Sequence, residues 1–229
     1  DANGNAPLTA GVTLDPRSDH TVCVPGRPFK YKNTLKNAGD MVYKFSWARD
    51  PGVYGFFGNM KEQQSPDCSC YVKNGPFIGT SKNVDFIRYA DVLLFKAEAL
   101  IQLNRHNEAL PLINLVRARA AASKSMPLAA GASDVYKISP YLAFPSKDYA
   151  MKALMFERRL EFGMEGPRFF DLVRWGIAEP VLNAYLTEEK TKRDFLANAK
   201  FTAGRDEYYP IPQREINFTA GLYKQNPGY

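Results

Sequence analysis

The chain has 229 residues, room for one large or two small domains, and its 45% hydrophobic and 24% charged content is that of a globular protein. Thirty Lys and Arg against 24 Asp and Glu give a net charge of +6, but the cations are scattered among acids without a run of five or six, so the basic stripe of a nucleic-acid footprint is absent. No stretch approaches the ~18–20 apolar residues of a membrane span, and Asp1-Ala2-Asn3-Gly4-Asn5 reads as a polar loop rather than a signal peptide.

Residues 1–83 read as loop-rich. Asp15-Pro16, Pro25-Gly26, Asp50-Pro51-Gly52, Ser65-Pro66 and Asn74-Gly75-Pro76 are turn signals, and only short strands are expected, at 21–24 and 41–45. Loops this long are uncommon in a compact domain unless they are functional. Three cysteines fall here. Cys68-Ser69-Cys70 could be half a metal site, but two histidines and no second cysteine pair leave no donor set for structural zinc, so no metal and no cofactor is expected. Either Cys23 bridges to Cys68 or Cys70, as in an extracellular protein, or all three are thiols.

From residue 84 the pattern turns helical. Phe86, Tyr89, Ala90, Leu93, Ala97 and Leu100 share one face, and Val92, Leu94, Ile101 and Leu103 widen the apolar arc until the helix needs cover on more than one side. Asn104 suits a left-handed helix stop. A second helix follows with Ala109, Ile113, Val116 and Ala120 on one face, and Pro111 fits it only in the first turn. The pair resembles a tetratricopeptide hairpin, a unit that cannot bury its own faces alone. Residues 123–145 read as a connection. Ser146 is an N-cap candidate for a helix over 147–165, broken by Gly166-Pro167. Short helices are expected over 168–175, 179–186 and 191–199, and Tyr208–Pro212 as extended chain. The fold class is mainly α, with little or no sheet.

The 147–165 helix is the most chemically informative. At 100° per residue, Glu157, Arg158, Glu161 and Glu165 fall between two apolar stripes, while Asp148, Lys152 and Arg159 point outward. Buried charges must pair. Carboxylates at i, i+4 lie about 6 Å apart, so spacing alone allows a glycosidase acid pair. The alternative is a structural ion network of Glu157, Arg158, Glu161, Glu165, Arg168, Asp171 and Arg174. A general acid needs a raised pKa and guanidinium groups lower it, which favours the network.

Several strings keep a common order: Asp15-Pro16-Arg17, Arg88-Tyr89-Ala90-Asp91 through Ala97-Glu98-Ala99-Leu100, Glu157-Arg158-Arg159-Leu160-Glu161, Glu165-Gly166-Pro167-Arg168-Phe169-Phe170-Asp171, Arg174-Trp175-Gly176 and Gln225-Asn226-Pro227-Gly228-Tyr229. In aggregate the chain resembles the C-terminal half of the SusD/RagB family, with Lys96 standing where an aromatic is frequent and Pro167 where His is common. The resemblance implies an outer-membrane, cell-surface lipoprotein that captures oligosaccharide or polysaccharide, with peptide an alternative ligand, for a SusC-like TonB-dependent transporter. It implies no catalysis and no nucleic-acid partner. It also implies that a signal peptide, a lipid anchor and most tetratricopeptide units lie outside this chain. The expected layout is a ligand-bearing segment 1–83 and a helical scaffold 84–229, together one domain.

A sugar offers apolar C–H faces for flat aromatics and hydroxyls for polar partners. The richest loop for both is 43–77. Trp47 is the leading ligand contact, with Arg49, Asp50, Tyr54, Asn59, Tyr71 and Asn74 beside it, whereas Phe56, Phe57 and Trp175 are expected in the core. Two other readings remain: a glycoside hydrolase using Glu157, Glu161 or Glu165, and a helical-repeat adaptor for peptide.

Overall fold

Three helices built on apolar spacing hold the larger part of the protein together. The computed structural model describes residues 13–27, 29, 42–64, 68–123 and 136–229, and the chain divides into two compact units, Asp1–Glu165 and Gly166–Tyr229. In the first unit, α1 (Ser18–Thr21) leads into β1 (Val22–Cys23), and α2 (Pro51–Tyr54) precedes β2 (Gly58–Asn59). β1 and β2 pair antiparallel, Val22 opposite Asn59. Of the strand expected over 41–45, the described residues keep a single β-bridge at Val42, and Phe45–Trp47 is a turn of 3-10 helix. A second antiparallel pair, β3 (Tyr71–Asn74) and β4 (Phe77–Thr80), is a hairpin closed by the expected Asn74-Gly75-Pro76 turn, with Gly75 at φ 60°.

Helix α3 (Tyr89–Gln102) starts five residues later than the apolar spacing suggests. Its start is set by polarity: Arg88 is extended, and its backbone N–H donates to the Asp91 carboxylate at 3.4 Å. Phe86, counted into the core face by spacing, precedes the helix and is 96% exposed. The buried stripe is Leu93, Leu94, Ala97 and Ile101. Asn104 adopts φ 60° and ends the helix as expected. Helix α4 (His106–Ala122) buries Ala109, Ile113, Val116 and Ala120, the face read from sequence. Pro111 lies past the first turn, inside the helix, so the bond its missing N–H would make is lost.

Helix α5 (Lys147–Glu161) is capped by Ser146, whose hydroxyl accepts the Tyr149 N–H at 3.1 Å. It stops four residues short of the expected end, where Met164 (φ 65°) and Gly166 (φ 93°) turn the chain. Leu93, Leu94, Ala97 and Ile101 pack with Ile113, Val116, Ala153, Leu154, Phe144 and Phe162 in one core. Each fully buried leucine or isoleucine there contributes about 1.5–3 kcal/mol. A smaller cluster gathers Cys23, Tyr43 and Met60, with Phe29 against it.

In the second unit, α6 (Arg168–Arg174) and α7 (Ala178–Glu189) pack around Leu172, Ala178 and Phe201. The helix expected over 191–199 is a single 3-10 turn, Asp194–Leu196. Tyr208–Pro212 has no regular element, and α8 (Gln213–Phe218) follows it. The Gln225 side chain pairs with both backbone groups of Ile211, and Asn226 donates to the Tyr209 carbonyl, so the two polar residues of the terminal motif pin the tail. Among the described residues no helix is long and apolar enough to cross a membrane.

Candidate functional site

Two constellations compete for function, the acids of α5 and the aromatics of the 43–77 stretch. Glu157, Arg158 and Glu161 are buried, as the helical register requires, because four-residue spacing brings the two glutamates onto the inward face one turn apart. Glu165 lies past the helix end and is exposed.

The cations that meet these acids arrive from distant parts of the first unit. Arg17 Nη1 donates to Glu157 at 2.7 Å and to Glu161 at 3.0 Å, while its other guanidinium nitrogens hold Asp15. Arg117 Nη1 takes the second Glu157 oxygen at 2.8 Å and its remaining donors take the Ser139 carbonyl. Glu161 also receives Arg88 at 2.8 Å and Arg119 at 2.5 Å. Arg88 and Lys61 share Glu165. Of the cations that sequence reasoning sets beside these glutamates, Arg158 reaches Asp91 at 3.5 Å and stacks on Phe95 and Phe162. In the second unit Arg168 opens α6, and Arg174 bonds Asp171 three residues back at 2.9 Å. Arg17, Arg88, Arg117, Arg119 and Lys61 are network members that sequence reasoning does not name. Their sequence signal is that the Asp15-Pro16-Arg17, Arg88-Tyr89 and Val116-Arg117-Ala118-Arg119-Ala120 strings belong to the shared motif order.

The electrostatics follow from this packing. Burial alone would push the Glu161 carboxyl up, but Arg88, Arg119 and Arg17 outweigh it and hold the group below the usual glutamate range. Arg17 feels the same balance reversed: burial disfavours its charge, yet Asp15 and Glu157 raise its pKa. A second buried pair, Asp19 and Arg27, is completed by the Tyr136 hydroxyl, which donates to Asp19. Burial and the Asp19 charge push the Tyr136 phenol well above its ordinary value. These contacts fasten the 15–27 segment to the helical core through groups whose charges are matched rather than open to solvent.

The aromatic stretch is built differently. The Trp47 ring is 42% exposed and meets Phe29 and Tyr43 edge to face, with centroids at 5.5 and 5.7 Å. Arg49 and Asp50 follow, both exposed, with Asp50 in the left-handed region at φ 43° just before α2. Tyr54 ends α2 and is 66% exposed. Phe56, expected in the core, is half-buried and stacks on Phe45 at 4.3 Å. Phe57, expected in the core, is instead 60% exposed, because β2 begins at the next residue and the chain turns its ring outward. Trp175, also expected in the core, is half-buried under the Arg174 guanidinium.

The proposed contacts therefore do not form one run. Trp47, Arg49, Asp50 and Tyr54 stand on the continuous 45–54 segment. Asn59 is committed elsewhere, its amide donating to the Met164 carbonyl and its oxygen accepting the Lys61 N–H. Tyr71 and Asn74 sit on the β3–β4 hairpin. At the base of that hairpin Cys68 and Cys70 are disulfide-bonded, an arrangement outside both alternatives read from sequence. A tight turn, with the Tyr71 N–H on the Cys68 carbonyl, brings the two Cα atoms within 5.0 Å. Cys23 is buried, its sulfur 3.8 Å from that of Met60.

The profile of the SusD family matches residues 1–229. The chain belongs to the SusD family. Among its relatives, SusD-like protein P38 of Formosa agariphila is 39% identical over 102 residues, 44% of this chain and 18% of the relative. SusD-like protein P2 of the same organism is 30% identical over 151 residues, 66% of this chain and 26% of the relative. The crystal structure of a SusD homolog from Bacteroides thetaiotaomicron superposes with a TM-score of 0.64 at 24% identity, covering 94% of this chain and 41% of that one. The matches thus span less than half of the length of each of these proteins, and the structural likeness speaks for the shared, mainly helical SusD-like fold.

Proposed function

We propose that this SusD-family protein binds oligosaccharide or polysaccharide at the cell surface, without chemistry, and passes it to a TonB-dependent outer-membrane transporter. The observation that carries the reading is Trp47, a half-exposed ring held edge-on by Phe29 and Tyr43 in a loop that also presents Tyr54 and Phe57. A braced, flat apolar face with exposed polar neighbours is what the C–H face of a pyranose ring needs. Arg49, Asp50, Tyr71 and Asn74 are the hydroxyl partners in this reading, and Asn59 positions the loop. The glutamates argue for binding over hydrolysis: Glu157 and Glu161 have both oxygens occupied by guanidinium donors, and the Glu161 pKa is displaced away from a general acid's. Outer-membrane anchoring by lipid and partnership with a SusC-like barrel follow from the family resemblance.

The test is tryptophan fluorescence in a Trp175→Phe background, which leaves Trp47 as sole reporter. Titration with an oligosaccharide panel should quench it, and Trp47→Ala should abolish binding measured by calorimetry. Binding that survives Trp47→Ala unchanged would move the site elsewhere. Reducing-sugar release that Glu161→Gln abolishes without lowering the melting temperature would overturn the non-catalytic assignment. Co-purification of the protein from outer membranes with a large β-barrel checks the transporter.

A further inference from the structure

Resting on the glycan-binding reading, we infer that the saccharide taken at Trp47 is anionic, carrying carboxylate or sulfate groups. Trp47 closes a 3-10 turn in which its own N–H bonds the Lys44 carbonyl at 3.0 Å. Lys44 is the extended residue that caps this turn, three positions before Trp47. Arg49 follows two residues later. Both Lys44 and Arg49 are exposed, and among the described residues neither has an ion-pair partner. This sets them apart from Arg17, Arg88, Arg117, Arg119 and Lys61, whose charges are spent on glutamates. Between residues 44 and 54 the only acid is Asp50. The sequence of 30–50 carries Lys30, Lys32, Lys36, Lys44 and Arg49 against Asp40 and Asp50.

A cation can bond a sugar hydroxyl, but it recovers more of its lost hydration from a group that carries the matching charge. An acidic sugar ring projects its carboxylate or sulfate from the ring edge while keeping its C–H face apolar. Stacked on Trp47, such a ring sends its anionic group outward to where a lysine and a fork-shaped guanidinium emerge. Charge-assisted bonds there are about twice as strong as hydroxyl bonds. The attraction is local and exposed, so it weakens with added salt.

The experiment measures binding of the 229-residue protein to matched pairs: polygalacturonate against its carboxyl-reduced form, and dextran sulfate against dextran. The first pair probes carboxylate and the second sulfate, and poly-glutamate serves as a non-saccharide polyanion. At least one acidic polymer should bind more tightly than its neutral counterpart and poly-glutamate. Lys44→Ala/Arg49→Ala should lose about tenfold on that polymer. Lys137→Ala/Lys200→Ala, which removes the same charge from exposed lysines elsewhere, should lose less than about twofold. Thermal melts of both variants check folding. Equal or better binding of the neutral forms, retained by Lys44→Ala/Arg49→Ala and lost in Trp47→Ala, overturns the inference and leaves the glycan-binding reading standing. Equal losses in the two double variants, or equal binding of poly-glutamate, reduce the effect to net charge and overturn it. No binding to any saccharide removes both.

Discussion

Arg17 and Glu157 lie 140 positions apart in the chain, yet their side chains meet at 2.7 Å with neither group open to water. Truncating one side of such a pair leaves a buried charge short of a partner, which typically costs about 3–5 kcal/mol. Arg17→Met should sit near the low end, about 3 kcal/mol, because Arg117 still holds the second Glu157 oxygen. Urea denaturation followed by circular dichroism measures it. Glu157→Gln in the Arg17→Met background should restore part of the loss, since the charge that needed compensating is gone. Additive losses would mean that the two side chains do not act as a pair.

Glu161 gives the network a pH dependence of definite sign. Burial raises its pKa, but Arg88, Arg119 and Arg17 leave it below the ordinary 4.5, and Asp15 lies below 3.8 because the bonds from Arg17 outweigh its own burial. The unfolded chain therefore takes up these protons first as pH falls. Their contribution is present in full above about pH 5 and is lost as pH drops through the folded-state values. Unfolding free energy measured from pH 7 to 3 should decline only at the acid end. Glu161→Gln should flatten that decline while lowering the plateau at pH 7. An unchanged slope would show that Glu161 is not held in its charged form.

Local rules made much of the scaffold readable. The Ala109, Ile113, Val116 and Ala120 face, the Asn104 stop and the Ser146 cap each depend on neighbours within one or two turns. Apolar spacing misled at Phe86, because the register continues backwards past the point where Arg88 and Asp91 start the helix. The site was half legible. Spacing places Glu157 and Glu161 inward, but the guanidinium groups that reach them come from residues 17, 88, 117 and 119, a matter of tertiary packing that no window along the chain contains. Phe57 shows the same limit on the ligand side: an aromatic next to Phe56 reads as core until the strand direction at Gly58 is known.

The cysteines separate by accessibility. Cys68 and Cys70 are bonded to each other, and the Cys70 carbonyl accepts the Ser81 N–H at 2.9 Å, fastening the far side of the hairpin. Cys23 is enclosed with Met60 and Tyr43. A thiol reagent should find almost no reactive group in the native protein and about one per chain after denaturation without reductant. Two further thiols should appear only with reductant. A native-state count near two or three would contradict the disulfide. Cys68→Ser/Cys70→Ser should lower stability by about 1–2 kcal/mol, the modest effect of closing so short a loop.

Pro111 offers a stabilising change. Its ring sits inside α4, where it removes the bond that an N–H at this position would donate to the Asn107 carbonyl four residues back. The side chain is exposed, so nothing in the core depends on it. An interior proline costs a helix about 3 kcal/mol relative to alanine. Part of that is offset because proline also restricts the unfolded chain, by about 0.4–1 kcal/mol. Pro111→Ala should therefore raise unfolding free energy by about 2 kcal/mol, read as an upward shift in the denaturation midpoint. The slope of the transition should not change, because the surface exposed on unfolding is nearly the same. A loss of stability would mean that the proline bends α4 to fit α3 and α5, in which case the lost bond is a condition of packing Ile113 and Val116 into the shared core.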